Sequence, residues 1–158
     1  MGLITLTTDF GLKDGNVGVM KGVIARIHPQ AQVVDLSHLI SPQHVFEGAL
    51  VIGRSAPFFP EGTVHIGVVD PGVGTLAARL GTQVFVGPDN GLCTLLWLNA
   101  RQQGLPSAFY HLDRPEYWLP EISNVFHGRD IFSPAGAHLA RGVPIEELGT
   151  LIDDPVLL

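Results

Sequence analysis

Three apolar, β-branched runs in this chain each end on or beside an aspartate, and that repetition limits the fold more than any other feature. Leu3-Ile4-Thr5-Leu6-Thr7-Thr8 stops at Asp9, Gln32–Leu36 carries Asp35, and Thr63–Val69 runs straight into Asp70. Helix-like stretches over 15–27 and 41–55 separate them, so the order strand, helix, strand, helix, strand predicts a parallel sheet covered by helices. Thr63–Val69 is nearly continuous in apolar residues apart from His65, the pattern of a strand buried on both faces. Ligands of such sheets bind outside the carboxyl ends of the strands, which puts Asp9, Asp35 and Asp70 at one rim. Ordinary aspartate chemistry at strand-to-loop turns explains each acid equally well when it is taken singly.

The remaining elements follow from periodicity and turn residues. Ser41-Pro42 reads as an N-cap with proline in the first helical position, opening a helix to about Ser55. Gln83–Val86 is a fourth strand, Pro88-Asp89-Asn90-Gly91 a turn, Leu92–Ala100 a short helix and Ser107–Leu112 a fifth strand. Pro134–Arg141 closes as a helix before Gly142. The expected fold is α/β, a three-layer αβα arrangement around a largely parallel sheet. With 158 residues, 46% of them hydrophobic and only 15% charged, the chain is long and apolar enough for one core, and 1–158 reads as one domain.

Charge and cysteine content narrow the partners. A formal net charge of −6, with nine basic residues scattered singly, offers no surface for tracking phosphates, so nucleic acid is not expected. No apolar run is long enough for a membrane span, and the first ten residues carry Asp9 without a basic leader, so the expectation is a soluble, cytoplasmic protein whose partner is a small molecule or another protein. Cys93 is alone and reads as a small buried hydrophobe. His28, His38, His44, His65, His111 and His138 lack metal-ligand spacing, so no metal is expected, and each reads as a satisfied core or surface residue. Gly72-Val73-Gly74 fails the dinucleotide fingerprint because position 77 is alanine, and it leads toward another strand rather than a helix. Trp97, Trp118 and Phe58-Phe59 read as core or interface residues, with Trp118 between Pro115 and Pro120 open to a pocket role.

One further segment stands out. Asn124-Val125-Phe126-His127-Gly128-Arg129-Asp130-Ile131-Phe132-Ser133 packs an imidazole, a guanidinium and a carboxylate among apolar side chains. Burying that polarity is costly unless each group has a partner. Alone, the turn is best read as a structural Arg129–Asp130 ion pair. Beside a strand ending on Asp70, the two segments read as halves of one active site.

These segments in combination resemble a known family. Thr7-Thr8-Asp9-Phe10-Gly11, Asp35-Leu36-Ser37-His38, Val69-Asp70-Pro71-Gly72-Val73-Gly74-Thr75, Phe85-Val86-Gly87-Pro88-Asp89-Asn90-Gly91 and Phe126-His127-Gly128-Arg129-Asp130-Ile131-Phe132 are similar, in this order, to motifs of the S-adenosylmethionine hydroxide adenosyltransferases, relatives of the fluorinases and chlorinases. The resemblance implies displacement at the 5′ carbon of S-adenosylmethionine by water or hydroxide, giving adenosine and methionine, with no cofactor. It implies Asp70 and His127 as catalytic residues that hold the water, and Asp9 and Asp14 as acids that take the ribose hydroxyls. Asn124, Gly128 and Arg129 count with them on the substrate side. Gly128 stands where the halogenating relatives carry a halide-binding serine, which favours hydroxide over halide.

The resemblance also implies a C-terminal β-barrel domain, outside residues 1–158, that completes the site across the interfaces of a homotrimer. One motif departs from the family pattern. An arginine is expected shortly after the GVGT turn, but Thr75 is followed by Leu76-Ala77-Ala78-Arg79 and the spacing to Phe85 is a few residues short, so Arg79 belongs with the next strand. A halide-using enzyme and a non-catalytic nucleoside-binding domain therefore stay open as alternatives.

Overall fold

A computed structural model describes residues 2–70 and 73–158 of the chain. Pro71 and Gly72 of the Asp70 motif lie outside the described residues. The elements run β1 (Leu3–Thr8), α1 (Asn16–Ile27), β2 (Gln32–Ser37), α2 (Val45–Ser55), β3 (Val64–Val68), β4 (Thr75–Leu80), β5 (Gln83–Pro88), α3 (Thr94–Gln102), β6 (Ser107–Leu112), α4 (Ser133–Ala140) and β7 (Gly149–Ile152), with a π-helical turn at Gly128–Phe132 leading into α4.

The strands form one seven-stranded sheet in the order β2-β1-β3-β5-β4-β6-β7. β2, β1, β3 and β5 are mutually parallel, whereas β4 runs antiparallel to both β5 and β6, and β7 antiparallel to β6. The carboxyl ends of β1, β2, β3, β5 and β6 therefore share a rim with the start of β4, where Thr75 pairs with Pro88.

Both faces of β3 are covered, as its apolar run requires. Val64, Ile66 and Val68 point toward α1 and α4 and pack with Ile4, Leu6, Met20, Ile24 and Phe132. Val69, just past the strand, joins Ile52, Leu76, Phe85, Leu92 and Leu96 under α2 and α3. The expected three layers are present.

The start of α2 and the strand count differ from the sequence pattern. The helix expected to open at Ser41-Pro42 begins at Val45, because Gln43 adopts φ 62° and breaks the turn, and the cap is His44, whose Nδ1 accepts the Glu47 N–H at 3.0 Å. The strand toward which Gly72–Gly74 leads is β4, and β7 completes the sheet from a segment with too little alternation to be read locally.

His65 on β3 is a core residue. Thr5 Oγ1 donates to its Nδ1 at 2.7 Å, its Nε2 donates to Gln83 Oε1 at 2.6 Å, and the Gln83 amide donates to the carbonyls of Ala56 and Phe59. Burial pushes its pKa down against the opposing bond from Gln83, so the ring stays neutral. Ile66 is fully buried at the centre of the sheet, so Ile66→Ala should lower the unfolding free energy by about 3 kcal/mol in urea denaturation. A loss below about 1 kcal/mol would show that β3 is not the core strand.

Candidate functional site

The rim collects Asp9, Asp14, Asp70 and the 124–130 turn, each by a traceable local cause. β1 ends at Thr8, and the Asp9 N–H donates to the Val68 carbonyl at 3.4 Å, which holds the turn after β1 beside the end of β3. Asp9 Oδ2 accepts the N–H of Gln43 at 2.9 Å, so the left-handed Gln43 that delays α2 also steadies this carboxylate. Asp14 is exposed at the start of α1, where its carboxylate accepts the backbone and side-chain N–H groups of Asn16.

Behind Asp9 runs a hydrogen-bonded chain that the sequence motifs did not reveal as a unit. Lys21 Nζ donates to Asp35 Oδ2 at 2.7 Å, Asp35 Oδ1 accepts from His38 Nε2 at 2.7 Å, and His38 Nδ1 hydrogen-bonds Thr8 Oγ1 at 2.8 Å. Thr8 Oγ1 in turn accepts the N–H of Phe10 at 3.2 Å. The carboxylate accepts only, so His38 Nε2 carries the proton that faces Asp35, and Nδ1 meets the threonine hydroxyl. Burial raises the Asp35 pKa, but the bonds from Lys21 and His38 outweigh it and hold the carboxyl below its ordinary range. The spacing Asp35-x-x-His38 was the available signal, but its meaning depends on Thr8, thirty residues away.

Asp70, two residues beyond β3, has φ 51°, a left-handed backbone that costs a non-glycine residue about 1 kcal/mol or more and is concentrated at functional sites. Its neighbour Val69 is fully buried whereas Asp70 is exposed, so the strand delivers a carboxylate to solvent directly from the core.

The 124–130 turn reaches the same place through Gly128. A Cβ on Gly128 would stand 3.3 Å from Met20 Sδ and 3.4 Å from Val68 Cγ2, so glycine lets the turn lie against β3 two residues before Asp70. Phe126 packs edge-on against Phe10 with ring centroids 5.6 Å apart, which ties the turn to the Asp9 loop. His127, partly buried, opens the turn, and Asn124 is exposed at its start. The following π-helical residues close with Ser133 N–H and Ser133 Oγ both donating to the Gly128 carbonyl, the latter at 2.6 Å. Such bulges recur at functional sites.

Arg129 and Asp130 make the ion pair that the turn suggests when read alone. Arg129 Nε and Nη2 donate to the two Asp130 oxygens at 2.7 and 3.3 Å, and the guanidinium stands 5.0 Å over the Phe126 ring. Asp130 is 1% exposed and also accepts the Ser123 N–H at 2.8 Å, while its carbonyl takes the Leu119 N–H. Burial raises its pKa, but Arg129 and Ser123 more than offset that and hold the carboxyl below the usual range.

Arg79 lies elsewhere. It pairs in register with Val84 and Ala108, four residues along β4 from the rim or about 13 Å at ~3.3 Å per residue, and it bonds Glu146. Ala77 is fully buried between Val86 and Tyr110. Among the described residues, β4 carries no cation to the rim. A cleft between Glu61, Arg79, Thr82 and Pro144 lies at the opposite end of the sheet.

In an αβα domain, acids at the carboxyl ends of parallel strands stand where small ligands bind. Comparison with known proteins makes this specific: residues 4–149 match the family model described as the SAM hydroxide adenosyltransferase N-terminal domain, and the chain belongs to that family. It is 42% identical over 159 residues to the (R)-S-adenosyl-L-methionine hydrolase of Salinispora arenicola, covering 98% of this chain and 59% of that protein. The fluorinase of Nocardia brasiliensis is 28% identical over 183 residues, covering 98% of this chain and 60% of that one. A crystal structure of an uncharacterized conserved protein from Thermotoga maritima superposes with a TM-score of 0.91 at 37% identity, covering 98% of this chain and 60% of the other. The chain thus spans about three-fifths of the length of the curated relatives it matches.

The lowered Asp130 pKa fixes the sign of an acid effect. The pair stabilises the fold above the unfolded carboxylate value, near ~4, and the contribution is lost as pH falls from there through the lower folded value. Asp130→Asn should cost about 2–3 kcal/mol at neutral pH and flatten the stability profile below about pH 4, read by urea denaturation across pH. An unchanged profile would show that the pair carries no net stability.

Proposed function

We propose that this domain supplies the water-activating side of an S-adenosylmethionine hydrolase. The observation that carries the reading is Asp70, an exposed carboxylate at φ 51° on the end of a doubly buried strand, with the His127-Gly128 turn seated against that strand. The likeness to a hydrolase at 42% identity, against 28% for a fluorinase, supports water rather than halide as the nucleophile.

In this reaction water attacks the ribose 5′ carbon in line with the sulfonium. A C–O bond forms, the C–S bond breaks with its electron pair passing to sulfur, and one water proton leaves. Methionine departs as a neutral thioether, so the leaving group needs neither a general acid nor a cofactor, whereas the water must be held in line and deprotonated. Asp70 and His127 take those roles. Asp9 and Asp14 accept the ribose hydroxyls, as acceptor-only carboxylates suit paired hydroxyls. Asn124, Gly128 and Arg129 shape the wall, with Arg129 held by Asp130.

The reading includes a homotrimer with sites at subunit interfaces. Leu12, Leu39, Val73 and Val125, all strongly exposed on rim loops, support it, because apolar side chains grouped around a polar centre are what a covering partner buries. It also includes a cytoplasmic setting and no membrane or nucleic-acid partner; among the described residues, no helix is long and apolar enough to cross a membrane.

Turnover in ¹⁸O-labelled water tests the chemistry. The expected product is adenosine with the heavy oxygen at its 5′ position, whereas a chloride-dependent 5′-chloro nucleoside, or binding of S-adenosylmethionine without turnover, would overturn the reading. Asp70→Ala should lower kcat by about 100-fold or more while KM changes little, as for a group that acts on the nucleophile rather than on the bound substrate. Parental kcat in that variant would remove Asp70 from the mechanism.

A further inference from the structure

Asn90 holds the Asp70 backbone from the turn after the neighbouring strand β5. Its Nδ2 donates to the Val69 carbonyl at 2.8 Å and to the Asp70 carbonyl at 3.0 Å, so both amide protons grip consecutive peptides on either side of the Asp70 Cα. Its Oδ1 accepts the Leu92 N–H at 3.2 Å, which fixes which end of the amide faces Asp70. The adjacent residue fastens the far end of the same loop, with the Asp89 N–H donating to the Gly74 carbonyl at 2.8 Å. The turn after β5 therefore bonds both Asp70 and Gly74.

A left-handed aspartate keeps its conformation only where the surroundings over-determine it. Relaxation of φ from 51° to the ordinary negative range would swing the carboxylate away from the rim. Neither Val69 nor Asp70 can hold itself there. Val69 O lies past the end of β3, and the β3–β5 pairing registers only as far as Ile66 with Val86, so the Asn90 amide takes the place of the missing strand hydrogen bonds. The loop segment Pro88-Asp89-Asn90-Gly91 reads from sequence as a plain turn, and the structure gives its amide a target.

We infer that Asn90 is a positioning residue for Asp70, setting the carboxylate's place through the Val69 and Asp70 carbonyls without touching substrate. The inference rests on the proposed role of Asp70 in water activation. It separates Asn90 from a general stabiliser, because loss of the grip misplaces the group that acts on the nucleophile and leaves the ribose-binding acids alone.

The test compares Asn90→Ala, the isosteric Asn90→Asp, Asp70→Ala and Asn99→Ala in the intact protein by steady-state kinetics with S-adenosylmethionine. Asn90→Asp keeps the acceptor for Leu92 and removes both donors, so it reports on the grip if Asn90→Ala does not fold. Asn99→Ala removes a comparable amide-to-carbonyl bond, to Gly53 at 3.0 Å, far from the rim, and controls for lost stability. A displaced catalytic group costs up to about 100-fold. Each Asn90 variant should therefore lose about 10- to 100-fold in kcat with KM within about twofold, while Asn99→Ala keeps both. If Asp70→Ala is crippled but the folded Asn90 variants keep parental kcat, or lose no more than Asn99→Ala, the positioning role is overturned while the reading of Asp70 stands. If Asp70→Ala itself turns over normally, both fall.

Discussion

Everything at the rim depends on the burial of β3 on both faces. A strand with Ile66 and Val68 under α1 and α4, His65 bonded to Thr5 and Gln83, and Gly67 against Ile52 and Leu92 cannot shift along its axis without moving every side chain into the wrong neighbours. Its end is therefore a fixed point in the molecule. Asp9 is tied to it through the Val68 carbonyl, the 126–130 turn rests on the Val68 side chain through Gly128, and Asp70 follows directly from it.

Around that fixed point three polar ties hold three loops, each by a different chemistry. A buried histidine between a carboxylate and a hydroxyl steadies the Asp9 loop. A primary amide with two donors facing two carbonyls steadies the Asp70 loop. A buried carboxylate that accepts from a guanidinium and a backbone N–H steadies the 119–130 loop. The tying groups are partnered within the fold, whereas Asp70 stays exposed and Asp9 is committed to a single backbone N–H. This division of labour is what a site needs when carboxylates must be fixed in position yet available to a ligand.

Much of this was legible in the residues. Apolar runs ending on Asp9 and Asp70, and the polar cluster at 124–133, pointed to the rim because strand period and the strand-end rule are local properties. Arg79 was correctly set aside as a strand residue, and the ion pair of Arg129 with Asp130 was visible in their adjacency. The Ser41-Pro42 cap failed because the competing bond from Gln43 to Asp9 is made with a residue more than thirty positions away. β7 was missed for a related reason, since a four-residue edge strand takes its identity from Phe109–Leu112 and not from its own alternation.

By itself, then, the sequence determined the αβα class, the strands whose ends carry acids and the family to which the motifs belong, since each depends on residue types at short spacing. Only the tertiary structure decided which polar groups work together: that His38 serves Thr8, that Asn90 grips Asp70, and that the Gly128 turn lies on Val68. Those pairings join residues between twenty and sixty positions apart, and no local pattern encodes them because the sheet order, set by how the whole core packs, chooses the neighbours.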